Sequence, residues 1–196
     1  ELFQYSFPEA NRPILSACRL PKEYIITPEY LNVEQALKGV DKLLKNTTHL
    51  FSFRQPGMSA ESYQSCIAEI LNRDPSARDR MILSGGSDVL NNQCVAGIHM
   101  PFRYVEKLTG RPVQDSKWFG ISCHNSYEIG RAEALGADFV TLSPVLPTVT
   151  HPEASPLGWE AFQRLVRQTN IPVYALGGMM KEYQQVALSA GAQGVA

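Results

Sequence analysis

Short β-rich runs alternate with helix-length stretches along nearly the whole chain, and this limits the available folds more than any other feature. Glu23-Tyr24-Ile25-Ile26-Thr27 reads as a strand and 32–46 as a helix. Further strands are read at 48–54, 80–84, 96–99, 118–123, 139–143, 171–176 and 193–196. Between them, helices are read at 59–73, 87–93, 102–109, 126–135, 159–168 and 180–190. Asn125 with Glu128 three residues on is a capping pair for the helix at 126, and Gly136 suits its C-terminal cap.

Eight β-then-α steps without a hairpin signal favour a parallel sheet. A doubly wound open sheet is the alternative. The count of eight, and the lack of a Gly-x-Gly-x-x-Gly turn after the first strand, favour a (β/α)₈ TIM barrel. At 196 residues it is a small one, since about 250 is typical. The chain stops inside the eighth strand, so the last helix is expected to be missing. Residues 1–21 are punctuated by Pro8, Pro13 and Pro21 and read as a linker or N-terminal arm, with the barrel at 22–196. Without an initiator Met, the chain reads as a fragment or a processed form.

Lys and Arg total 18 against 19 Asp and Glu, a net charge of −1. No basic field invites nucleic acid or an anionic membrane surface. No run of about 18 apolar residues exists, and no membrane span is expected. The four cysteines have no metal-type pairing, so a reduced, cytoplasmic setting is expected. Self-association as a homo-oligomer stays open.

In a parallel barrel, ligands bind where the strands end. Alternation along the second strand puts Phe51 and Phe53 on one face and Ser52 and Arg54 on the other. The aromatic pair should pack on helices and leave Arg54 to the mouth. In the fifth strand Phe119, Ile121 and Cys123 share a face, while Gly120, Ser122 and His124 share the other. Ser122 and His124 should then reach the mouth too. The plainer readings are a rim salt bridge for Arg54 and a capping role for His124. His49 opens a strand and reads as structural, and His99 could face the mouth or fill the lumen. No two histidines have metal-site spacing, so no metal ligand is assigned.

The loop Ser143-Pro144-Val145-Leu146-Pro147-Thr148-Val149-Thr150-His151-Pro152 is long for a compact domain. Its Thr148 and Thr150 hydroxyls beside a cation suit a phosphate; a proline-stiffened surface loop is the alternative. After the seventh strand, Gly177-Gly178 leads into a helix, where backbone N–H groups could approach an anion.

Several of these stretches together carry a resemblance. Gly120-Ile121-Ser122-Cys123-His124, Gly136-Ala137-Asp138-Phe139-Val140, Pro147-Thr148-Val149-Thr150, Ile171 to Met179 and Ala190 to Ala196 resemble the C-terminal half of thiamine phosphate synthases and TenI proteins. The N-terminal half is similar through Tyr24-Ile25-Ile26-Thr27, Phe53-Arg54 and Gly97-Ile98-His99. The resemblance covers roughly 22–196. It implies a small-molecule phosphate ligand, held by Arg54, Ser122, Thr148, Thr150, Gly177 and Gly178.

The synthases join a pyrimidine diphosphate to a thiazole phosphate and release diphosphate. Where they carry Gln-x-Arg-x-Lys, this chain has Ser52-Phe53-Arg54-Gln55-Pro56, keeping only the arginine. Where they carry Asn-Asp on Mg²⁺, it has Ser84-Gly85; the segment matching their second metal aspartate is Pro101-Phe102-Arg103-Tyr104. The lysine of their Pro-Thr-x-Thr-Lys loop is His151 here. Diphosphate departure needs such charges, so no cofactor is expected, and Mg²⁺ only if synthase activity is retained. TenI-like proteins share the glycine and the proline, and they use a histidine after the fifth strand to aromatise a thiazole phosphate tautomer. His124 matches that position. Imidazoles titrate near neutral pH, which suits such proton transfer. The Pro-Thr-x-Thr loop, by contrast, is more synthase-like.

Pro8-Glu9-Ala10-Asn11-Arg12-Pro13-Ile14 resembles the join in fusions of an N-terminal MutT-type Nudix hydrolase to a synthase-like domain. A Nudix partner domain is therefore expected in the parent chain, although no Nudix box occurs here. Three readings follow: TenI-like tautomerisation through His124, a thiamine phosphate synthase with an altered metal site, and a non-catalytic ligand-binding or partner domain.

Overall fold

Eight parallel strands follow one another around a single sheet in chain order. They are β1 (Ile25–Ile26), β2 (Phe51–Phe53), β3 (Met81–Ser84), β4 (Gly97–Pro101), β5 (Trp118–Cys123), β6 (Phe139–Leu142), β7 (Val173–Ala175) and β8 (Gly194–Val195). This computed structural model describes residues 19–46, 49–86, 94–148 and 153–196. The last strand bonds back to the segment before the first. Tyr24 N–H donates to the Val195 carbonyl at 2.9 Å, and Val195 N–H donates to the Lys22 carbonyl at 3.1 Å. A parallel bridge pairs Glu23 with Val195. These bonds close the ring, and the fold is the (β/α)₈ barrel expected from the alternation.

The helices are α1 (Val33–Asn46), α2 (Ala60–Arg73), α3 (Phe102–Val105), α4 (Ser126–Ala134), α5 (Gly158–Val166) and α6 (Gln184–Ser189). The long ones form because apolar residues recur at helical spacing: α1 buries Ala36, Leu37, Val40 and Leu44, and α2 buries Tyr63, Cys66, Ile67 and Ile70. Ser59 caps α2, its hydroxyl accepting the Ser62 N–H at 3.2 Å.

Two helices are shorter than the sequence suggests, and the helix read at 87–93 lies outside the described residues. The helix expected over 102–109 ends at Val105. Gly110 and Pro112 follow closely, and Arg111 is tied down by its side chain. That guanidinium donates to Asp138 at 2.7 Å and to the carbonyls of Lys117 and Gly136. The helix expected from 180 begins only at Gln184, after a 3₁₀ turn over Lys181–Tyr183.

The strand faces follow the alternation rule. Phe53 points outward and stacks on Tyr63 of α2, with ring centroids 5.3 Å apart and planes at 6°. Phe119, Ile121 and Cys123 are buried in the same outer layer. Inside the barrel Leu20, Tyr24, Ile82, Ala96, Phe139 and Tyr174 form a second cluster. The Tyr24 and Phe139 rings meet edge-on at 5.1 Å, and those of Phe139 and Tyr174 at 5.7 Å. A Cβ on Gly120 would lie 2.4 Å from the Phe139 ring, so glycine is what lets that ring fill the lumen. Of the expected arm, residues 19–21 pack at the bottom: the Leu20 carbonyl accepts from Gln193 and the Pro21 carbonyl from the Tyr174 hydroxyl. The lumen is therefore plugged from below and open above.

Candidate functional site

Above the aromatic plug the strand ends surround a cavity of about 930 Å³, with Arg54, His99, Ser122, His124, Thr148 and Gly177 in its wall. A shallower depression of about 460 Å³ adjoins it between α3 and α4, and His124 belongs to both.

Arg54 sits one residue past β2. Its backbone N–H donates to Thr27 Oγ1 at 3.0 Å, which ties the end of β2 to the end of β1. Beside it the buried Gln55 amide accepts the Tyr30 N–H and donates to the Pro28 carbonyl, each at 2.8 Å. These bonds fix the two loops that present the arginine. Among the described residues no carboxylate pairs with the Arg54 guanidinium, so its charge is available to an anion.

Ser122 points inward from β5 and meets His99 of β4, with Oγ 3.0 Å from Nε2. Thr141 Oγ1 lies 3.4 Å from the same nitrogen, and the Tyr24 hydroxyl lies 3.1 Å from Nδ1. His99 takes both of the places open to it in the sequence: it is buried in the lumen, 2% exposed, and lies in the wall of the mouth cavity. Burial, with the charge of Arg54 as a smaller cause, holds its pKa down from 6.5 to about 4. At neutral pH it is an uncharged imidazole.

His124 follows β5 and is half exposed. Its Nδ1 lies 2.9 Å from Glu128 Oε2, and its backbone N–H donates to the same oxygen at 2.8 Å. Asn125 caps α4: its Oδ1 accepts the Glu128 N–H at 3.0 Å, and its side-chain amide donates to Glu128 Oε1 at 3.1 Å. One carboxylate thus closes the helix cap and holds the imidazole. A carboxylate can only accept, so Nδ1 carries the proton and Nε2 keeps the lone pair of the neutral ring.

The loop after β6 is laced to the turn after β7. Val145 N–H donates to the Leu176 carbonyl at 2.9 Å, and Leu146 N–H donates to that of Gly177 at 3.1 Å. Gly177 (φ 91°) and Gly178 (φ 66°) are left-handed. A Cβ on the first would lie 2.8 Å from Pro144, and one on the second 2.5 Å from the Pro147 carbonyl. These glycines do not open directly into an α-helix, because the 3₁₀ turn intervenes. Close packing of two mouth loops is their observed role. Thr148 stands on the wall of the cavity, whereas Thr150 and His151 lie outside the described residues.

No group of three or more His, Cys, Asp or Glu side chains that could hold a metal ion occurs among the described residues. No helix among them is long and apolar enough to cross a membrane. Sequence reasoning missed the Tyr24–His99–Ser122–Thr141 cluster as a unit. Alternation along each strand points all four inward, but which of them touch depends on the stagger between strands.

The model of the thiamine monophosphate synthase family matches residues 23–196. The chain is 29% identical over 177 residues to the "Putative thiamine-phosphate synthase 2" of Aquifex aeolicus, covering 90% of this chain and 95% of that protein. It is 26% identical over 181 residues to the thiamine-phosphate synthase of Clostridium novyi, covering 89% and 87%. The solved structure of the thiamine phosphate pyrophosphorylase from Pyrococcus furiosus superposes with a TM-score of 0.63 at 20% identity, over 88% of this chain and 83% of that one; at that identity the likeness speaks for the fold. With the match running from the first strand to the last, the chain belongs to the thiamine monophosphate synthase family.

Proposed function

We propose that the barrel mouth binds a thiazole phosphate and that His124 moves a proton on its ring, a TenI-like tautomerisation. The observation that carries this reading is the His124–Glu128 pair. With Nδ1–H held by Glu128 at 2.9 Å, Nε2 is the basic nitrogen left for a ligand. It takes a proton from one position of the ring and returns it at another, with no bond between heavy atoms broken and no change in oxidation state. Arg54, Ser122, Thr148, Thr150 and the N–H groups of Gly177 and Gly178 hold the ligand. Such a reaction expels no diphosphate and asks for none of the charged groups that the chain lacks.

The synthase reading draws on the names of the relatives. Two assays separate the readings. Conversion of the thiazole phosphate tautomer to its aromatic form without added metal supports the proposal. Product from pyrimidine diphosphate and thiazole phosphate that requires Mg²⁺ would replace it with the synthase. Binding of thiazole phosphate without turnover in either assay would leave a ligand-binding domain. The Nudix partner inferred from Pro8–Ile14 rests on residues outside those described; the mass and domain content of the parent polypeptide test it.

A further inference from the structure

We infer that Gln55 is a positioning residue for Arg54: from behind the cavity wall, and together with Thr27, it anchors the backbone of the arginine and so tightens the hold of the mouth on an anion. The effect on affinity rests on the phosphate-ligand reading above; the anchoring of Arg54 does not.

The anchor begins where the β1–β2 ladder runs out. The Thr27 N–H donates to the Ser52 carbonyl at 2.9 Å. One step on, the Thr27 side chain takes over: Oγ1 accepts the Arg54 N–H at 3.0 Å, and its own hydrogen faces the Arg54 carbonyl at 3.5 Å. Gln55 braces that hydroxyl. Its Nε2 lies 3.4 Å from Thr27 Oγ1 and donates to the Pro28 carbonyl at 2.8 Å, while its Oε1 accepts the Tyr30 N–H at 2.8 Å. The direction of this amide is fixed by its partners. A backbone N–H only donates and a carbonyl only accepts, so Oε1 must face Tyr30 and Nε2 must face Pro28. Tyr30 is seated in turn against α1, in the space that a Cβ on Gly39 would fill.

Arg54 and Thr27 line the mouth cavity, and Gln55 does not; it is 4% exposed. Thr27 is within reach of a ligand, but Gln55 acts on one only through the residues it holds. An arginine with a fixed backbone loses less freedom when its guanidinium closes on an anion. Anchoring therefore raises affinity without adding a contact.

Amide hydrogen exchange at Arg54 reads the anchor directly. Exchange should be slow in the wild type and at least about tenfold faster in Gln55→Met and in Thr27→Val, with Thr27→Ser close to the wild type because it keeps the hydroxyl. Equal exchange in the wild type and these two variants would overturn the anchoring whatever the ligand is. A double-mutant cycle on the dissociation constant of thiazole phosphate tests the consequence. Gln55→Met should weaken binding by about tenfold alone and add nothing in the Arg54→Gln background. Losses that multiply would assign Gln55 to the scaffold and overturn its action through Arg54. If Gln55→Met does not fold, Thr27→Val takes its place in the cycle, with Thr27→Ser expected to restore binding. A wild-type protein that shows the exchange pattern but binds no thiazole phosphate would overturn the phosphate-ligand reading and leave the anchoring standing.

Discussion

Glu128 Oε2 accepts two hydrogen bonds from His124, one from ring Nδ1 at 2.9 Å and one from the backbone N–H at 2.8 Å. The same residue is the third helical position of α4, where its backbone N–H meets the Asn125 cap. Helix capping and imidazole orientation are therefore one construction. Glu128→Gln keeps a side chain that suits this capping position but removes the carboxylate that fixes the Nδ1–H tautomer. Turnover of the thiazole tautomer is expected to fall about tenfold, with an unchanged unfolding midpoint in urea. A fall in stability matching the fall in rate would assign Glu128 to the fold alone.

Arg54 contributes charge to the mouth and, among the described residues, makes no ion pair; its anchoring bonds run through its backbone. Arg54→Gln is expected to raise the thiazole phosphate dissociation constant by about 10- to 100-fold, the loss of one charge-assisted contact. The melting temperature should stay where it is. Isothermal calorimetry measures the first and scanning calorimetry the second.

At Gly177 the backbone is left-handed, and a Cβ would lie 2.8 Å from Pro144. Gly177→Ala adds backbone strain to a collision between the two mouth loops. The expected cost is about 1–3 kcal/mol, read from urea unfolding. Ligand binding should weaken as well, because the same loop carries Thr148. An unfolding free energy equal to wild type would show that the loops pack less tightly than described.

His99 links acidity to stability. Its pKa falls from 6.5 to about 4 in the folded state, so the unfolded chain takes up the proton first as pH drops. The stability held by the neutral ring is intact above 6.5 and drains away as pH falls towards 4. One pKa unit is worth about 1.4 kcal/mol, so the loss over this window is roughly 3 kcal/mol. In His99→Gln this part of the pH dependence should vanish. Urea unfolding at a series of pH values reads the slope, and equal slopes for the two proteins would contradict the assignment.

Much of this was legible in the residues themselves. Alternation along β5 put Ser122 and His124 on the lumen side and Cys123 on the helix side, because successive side chains on a strand point to opposite faces. The same rule sent Phe53 to Tyr63. Asn125 and Glu128 marked the start of α4, since a cap is a local device. What the sequence could not supply was contact between distant strands. His99, Ser122 and Tyr24 meet only because β1, β4 and β5 are staggered around a closed ring, and stagger is set by the whole barrel. The late start of α6 was missed for a related reason. Gly177 and Gly178 are shaped by Pro144 and Pro147 across the mouth rather than by the helix that follows them.

The most direct measurement is the conversion of the thiazole phosphate tautomer by wild type and by His124→Gln, followed with the dissociation constant of thiazole phosphate for each. Proton transfer by His124 predicts that turnover falls by at least about 100-fold while the dissociation constant changes little. Equal turnover by the two proteins would contradict the account.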